Sequence, residues 1–344
     1  MHIGYGSERN RYDEIVLLHL IGATMILLCH FTQKEHISAL GEIFISGVPL
    51  FLFISGFLAG LKPKIEKTWL PRRAIRILIP FYLWVIPCML ILWISNRSEV
   101  TICQALFMLT NMQGLNYIYW KSELYSAVLG LGHLWFTTEI MLCYLLVPIF
   151  NKVINMIGQK KRTWLTIMSL IIIVIQPLAI QIGIQTSYII TFFLGYLVCK
   201  LGCKITNRLF LIITLGCIGI TVLRFVFMQI MDGTNYYDRY LALISAAAVG
   251  IWIFFCVFWL SSMAPKFMTR LSENKQIAFL SEISFEIYIV HFWFLNGKWQ
   301  ISNYIHNVVL SDMLVVVLTV IFASILHLIS QKVIYILNRR LAVK

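Results

Sequence analysis

Ten mostly apolar runs recur along this 344-residue chain, nine of them about twenty residues or more, long enough to cross a lipid bilayer, and the sixth shorter. Inside hydrocarbon a backbone must satisfy its own hydrogen bonds, so such runs are read as helices. The predicted spans are 14–32, 42–61, 75–94, 126–150, 163–182, 187–201, 209–231, 240–263, 277–295 and 312–337. With short loops they use nearly the whole chain. The expected fold is therefore an all-α, polytopic membrane helical bundle of about ten transmembrane helices, forming a single domain over 1–344. Composition agrees: 60% of residues are hydrophobic and 12% charged, about half the usual quarter. That excludes a soluble globular domain, a disordered chain and a disulfide-rich secreted scaffold. The first apolar run carries His19 and His30 and lacks a small-residue cleavage site, so it is read as a retained helix.

The positive charges orient the bundle. Of the 28 Lys and Arg residues, 22 fall in one set of alternating loops and at the termini, five in the opposite set, and Arg224 within a span. Positive charge accumulates on the cytoplasmic side, so both termini and the Lys62–Arg76 loop are expected there. The net charge of +13 is then a topology signal, and no nucleic-acid partner is expected. The eight cysteines mostly sit in apolar runs without CxxC spacing, which argues for packing and against a metal or disulfide role.

An ionisable residue inside a span is costly and therefore a functional candidate. The chain has His19, His30, His133, Glu139, Arg224, Glu282, Glu286, His291 and His327 in such positions. Counted from the cytoplasmic side, His30 lies about 24 Å along its helix and His291 about 21 Å, while His133 comes early in an inward-running span. Three helices thus deliver imidazoles to the outer third of the membrane, with Glu139 about 9 Å deeper than His133. A shared polar cavity would look like this. Alternatively, each neutral histidine simply hydrogen-bonds a neighbouring backbone. Glu282 and Glu286 are near the cytoplasmic end of their span, where an interfacial position is the alternative.

The segment L-P-R-R-A-I-R-I-L-I-P-F-Y places Arg72, Arg73 and Arg76 where the chain enters the third span. Arg73 and Arg76 share a helical face, and Pro71 is suited to a helix start. Guanidiniums beside a helix N-terminus suit a phosphate group. The alternative is ordinary topology charge attracted to anionic lipid.

Five pieces in order resemble a known family: I-L-L-C-H-F ending near His30; G-V-P-L-F-L-F-I-S-G-F-L from Gly47; R-R-x-x-R-I-x-x-P-x-Y from Arg72 to Tyr82; H-L-W-F from His133 with Tyr144 and Pro148 following; and I-S-F-E-I-Y-I-V-H ending at His291. Together with the span count, they are similar to the bacterial integral-membrane acyltransferase family 3, whose members O-acylate cell-surface glycans. In one departure, the family's Arg or Lys eleven residues before the first-span histidine is here His19. The usual D-G-x-R opening is also absent, and no appended hydrolase-like domain is expected.

The resemblance implies a multi-pass protein of a bacterial cell membrane. It would move an acyl group, acetyl by default, from cytoplasmic acyl-CoA to a hydroxyl of a surface polysaccharide or its lipid-linked precursor. Acyl-CoA would be a substrate, with no bound cofactor or metal, and glycan-biosynthesis machinery and membrane lipid would be the partners. On this reading His30 is the catalytic base. Arg72, Arg73, Arg76 and His19 contact the donor, and His133, Trp135, Glu139 and His291 face the acceptor. Tyr117, Tyr119 and Trp120 would stack on sugar or belong to an interfacial aromatic belt. The competing class is a transporter or flippase of a glycan or lipid-linked sugar, which needs no thioester. Such proteins often show internal repeats, and none is convincing here.

Overall fold

The computed structural model describes residues 2–3, 13–35, 38–62, 66–95, 100–115, 128, 130–157, 187–230 and 236–342. Helices dominate: α1 (Asp13–Lys34), α2 (Ser38–Phe44), α3 (Gly47–Gly60), α4 (Trp69–Ser95), α5 (Ile102–Leu109) and α6 (Trp135–Ile157), the last entered through a 3-10 turn at Gly132–Leu134. They continue with α7 (Ser187–Leu201), α8 (Asn207–Ile230), α9 (Tyr236–Met263), α10 (Pro265–Glu273), α11 (Lys275–Glu282), α12 (Ser284–Asn296) and α13 (Val308–Ala342). A two-residue antiparallel pair joins β1 (His2–Ile3) to β2 (Cys203–Lys204).

Among the described residues six helices are long and apolar enough to cross a membrane: Asp13–Lys34, Trp69–Ser95, Gly132–Met156, Asn207–Ile230, Tyr240–Met263 and Val308–Leu341. The interrupted pair Lys275–Glu282 and Ser284–Asn303 makes a seventh if counted as one span, and Gly47–Gly60 and Ile189–Leu201 are shorter apolar helices. Nine of the ten predicted spans thus have a helical counterpart among the described residues. The fifth, 163–182, lies outside them. The large apolar side chains left exposed on α8 and α13, such as Leu211, Leu215, Val222, Val309 and Met313, are stable only against lipid. The fold is an all-α polytopic bundle, and the protein is a multi-pass membrane protein.

Several predicted spans differ in detail. The second is not continuous: α2 ends at Phe44 and α3 begins at Gly47. The ninth is interrupted at Ile283, so a straight 1.5 Å rise does not carry through to His291. The third starts at Trp69, six residues earlier than expected, and the tenth is longer at both ends.

The chain divides into two compact units, Met1–Ile65 with Leu146–Glu282, and Glu66–Leu145 with Ile283–Lys344. In the first unit α3 packs on α7 with almost no space between backbones. A Cβ on Gly56 would run into the carbonyl of Phe192, and one on Gly195 into the carbonyl of Phe53. This is the small-residue contact by which membrane helices gain close dispersion packing. Beside it Phe53, Phe57, Phe254 and Phe258 form an aromatic core, with the Phe53 and Phe254 rings edge-to-face at 4.8 Å. The N-terminus of α1 is tied to the same core. Buried Glu14 accepts from Ser261 Oγ, and Thr269 Oγ1 donates to Asp13 Oδ2 at 3.1 Å.

In the second unit α4, α12 and α13 meet through aromatic rings. Trp84 stands edge-to-face with Trp293 at 6.5 Å and with Phe322 at 6.1 Å, and Phe294 lies 5.2 Å from Phe322. Glu286 on α12 and His327 on α13 are both buried and hydrogen-bonded, Nδ1 to Oε1, at 3.0 Å. A polar pair in two apolar helices has few alternative partners, so it fixes their register.

Candidate functional site

Because α4 begins at Trp69, with Arg72 N–H already donating to Thr68 O at 3.1 Å, the arginine cluster stands on two helical turns rather than in a loop. Pro71 falls in the first turn, where its missing N–H breaks no helical bond. Arg72 and Arg76 are exposed. Arg73 is half-buried, its guanidinium carbon 5.9 Å from the Trp69 ring centre and 5.7 Å from that of Tyr144. The two rings are edge-to-face at 5.6 Å. Cation–π attraction therefore holds one guanidinium in place while two others flank it. Such an arrangement suits a multiply charged phosphate ligand.

In the second unit His133 and His291 are anchored to the backbone of α12. His133, in the 3-10 turn before α6, turns Nε2 to the carbonyls of Tyr288 (2.9 Å) and Ile289 (3.1 Å), so its proton sits on Nε2. Tyr288 returns the contact, its hydroxyl donating to the His133 carbonyl. His291 directs Nδ1 to the carbonyls of Tyr288 (2.8 Å) and Ile287 (3.2 Å), which places its proton on Nδ1. The two imidazoles lie 4.9 Å apart at 75°, and their exposures are 4% and 1%. The structure thus brings His133 and His291 together, and both make the backbone contacts that the plainer sequence reading allowed.

Trp135 opens α6, and Glu139 follows one turn later with 0% exposure. Among the described residues neither Glu139 carboxyl oxygen has a hydrogen-bond partner. A buried carboxyl group without a donor is costly, and a ligand hydroxyl would relieve it.

His30 and His19 belong to the first unit. His30 sits in the last turn of α1, half-buried, with Nδ1 3.1 Å from Gln33 Oε1, which leaves Nε2 as its basic nitrogen. His19, three turns earlier, stacks on Phe51 at 6.0 Å and 22°.

Residues 13–328 match a family described as an acyltransferase domain. The chain belongs to acyltransferase family 3. Comparisons with curated proteins and with solved structures gave no match. As a member of acyltransferase family 3 the protein is an enzyme, a membrane acyltransferase. The matched stretch contains every candidate residue from His19 to His291.

Three features of this family member escaped the sequence reading. The first is the pair of aromatic rings around Arg73, contributed by Trp69 and, far along the chain, Tyr144. The second is the Glu286–His327 contact, whose members each stand out as ionisable within a span while nothing local pairs them. The third is a buried polar cluster next to Glu139. Gln113 Nε2 donates to Thr137 Oγ1 (2.8 Å) and Leu134 O (2.9 Å), Thr137 Oγ1 to Asn111 Oδ1 (2.7 Å), and Thr138 Oγ1 to Asn111 O (2.9 Å). The polar run T-N-M-Q-G, with Asn111 at φ 54°, and the T-T-E inside an apolar span were the available signals.

Proposed function

We propose that this acyltransferase moves an acyl group, acetyl in the simplest case, from acyl-CoA on the cytoplasmic side to a hydroxyl of a surface polysaccharide or its lipid-linked precursor. The observation that carries the donor assignment is Arg73, fixed between Trp69 and Tyr144 at the start of a membrane helix and flanked by Arg72 and Arg76. Three guanidiniums match the several phosphate charges of CoA, and the strong excess of Lys and Arg in that set of loops supports the cytoplasmic side. His19, in the position where the family carries a cation, is a further donor contact on this reading.

In the transfer, His30 Nε2 takes the acceptor hydroxyl's proton while the oxygen attacks the thioester carbonyl carbon. The tetrahedral intermediate collapses, the C–S bond breaks, and the departing CoA thiolate takes up that proton from the imidazolium. The products are an O-acyl ester and free CoA. An imidazole neutral near pH 7 suits this step. His30 is preferred over His133 and His291 because its ring is less buried than theirs. Trp135, Glu139 and the two anchored histidines would line the acceptor side, with the buried Glu139 carboxyl accepting a sugar hydroxyl.

The test uses membranes containing the protein, acetyl-CoA labelled in the acetyl group, and glycan from the source cell. Label should pass into the glycan as an alkali-labile ester and depend on added thioester. Glycan modified equally well without any thioester would contradict the proposal.

A further inference from the structure

Along one face of α4, Trp69 is followed by Arg73, Pro80 and Trp84 at helical spacing. The indole nitrogens of Trp69 and Trp84 are both shielded from solvent, and among the described residues neither has a hydrogen-bond partner. An indole N–H only donates, and leaving it buried and unmade is costly. Two such donors lie on the helix face that carries the guanidinium of the donor site, one beside it and one farther along. Trp69 touches it directly, with Arg73 5.9 Å from its ring centre. Trp84 lies eleven residues beyond Arg73, a rise of about 16 Å. Its ring is held edge-to-face by Trp293, on the turn of α12 that follows His291, at 6.5 Å and by Phe322 of α13 at 6.1 Å.

We propose that this face of α4 is the track for the acyl-pantetheine arm of the donor, with Trp69 N–H donating to an amide carbonyl near the phosphate end and Trp84 N–H donating to the thioester carbonyl. The proposal rests on the acyl-CoA reading above. Beyond its phosphates, the arm offers mainly carbonyl oxygens as acceptors: two amides and the thioester. Two indole donors with no acceptor of their own match that inventory, whereas further cations would not. The rise from Arg73 to Trp84 is comparable to the reach of an extended pantetheine arm. At the thioester, an N–H donor also stabilises the charge that develops on the carbonyl oxygen during attack.

The experiment measures binding to the purified full chain in lipid nanodiscs, using acetyl-CoA and S-ethyl-CoA, in which a methylene replaces the thioester carbonyl. The wild type should prefer acetyl-CoA by about two- to tenfold, the value of one neutral hydrogen bond. Trp84→Phe keeps the ring packing and removes the donor. It should erase that preference by weakening acetyl-CoA alone. Trp69→Phe should weaken both compounds by a similar factor. Equal wild-type affinities, a preference that survives in Trp84→Phe, or unchanged binding in Trp69→Phe would each overturn the track. The wild-type comparison of two ligands holds even where a variant folds poorly. If the wild type binds neither CoA compound saturably, the acyl-CoA reading itself fails, and the track fails with it.

Discussion

Replacing Arg73 by alanine should damage use of the donor more than any other single change in the arginine cluster. Its guanidinium is the one held by two rings, 5.9 Å from Trp69 and 5.7 Å from Tyr144, while Arg72 and Arg76 are more exposed. A phosphate bound by a pre-positioned guanidinium gains a charge-assisted hydrogen bond of about 1.5–3 kcal/mol without first ordering a long side chain. Losing it should raise KM for acetyl-CoA by about ten- to a hundredfold. Arg73→Lys keeps the charge but loses the planar fork, so it should fall between alanine and wild type. Tyr144→Leu removes one of the two rings, and a cation–π contact at such a site is worth about 0.5–1 kcal/mol, or roughly two- to fivefold in KM. Initial rates of label transfer in membranes, against acetyl-CoA concentration at fixed acceptor, give KM for the wild type, these three variants and Arg76→Ala. A wild-type donor KM in Arg73→Ala, or a larger effect from Arg76→Ala, would refute the reasoning, and the rings would then serve packing only.

Other consequences follow from packing and charge. Glu286→Ala leaves buried His327 without its 3.0 Å acceptor and should cost about 1–3 kcal/mol, seen as a lower Tm of the purified protein; Glu286→Gln keeps an acceptor and should lose less. Gly56→Leu drives a side chain into the Phe192 backbone and should abolish monodisperse protein on size exclusion, whereas Gly216→Leu, with nothing within 4 Å of its Cβ, should behave as wild type. A cysteine at exposed Lys67, in a cysteine-free background, should react with an impermeant probe only when the cytoplasmic face is opened; labelling from intact cells would invert the topology and move the donor site to the other side.

How far the sequence was legible depended on whether a signal was local. The sixth span was read as 187–201 and is Ser187–Leu201, because its end carries local punctuation: Gly202 follows at φ 61°, the left-handed position that stops a helix. The interruption at Ile283 has no such mark. L-S-E-I-S-F holds neither Gly nor Pro, and hydropathy runs straight through it. Hydropathy places the start of α4 late because Arg72, Arg73 and Arg76 lower it without breaking a helix. Ionisable residues within spans were visible as costly, but their partners were not. Glu286 and His327 are 41 residues apart and meet only through the packing of α12 on α13. In the same way His133 was legible as a polar group in a membrane, while its attachment to the Tyr288 carbonyl, 155 residues away, was not.

The central claim is that a first-span histidine acts as the base in acyl transfer, and glutamine variants of His30, His133 and His291 compared side by side test it most directly. Glutamine keeps some hydrogen bonding but takes no proton near pH 7, and general-base assistance is typically worth about 10²–10⁴-fold. With protein level and membrane insertion matched, His30→Gln should lower surface-glycan acylation, measured by mass spectrometry, by a factor in that range. His133→Gln and His291→Gln, which disturb contacts to α12, should lower it less. Near-normal acylation in His30→Gln, together with its loss in either of the other two, would contradict the assignment and move the base to that residue.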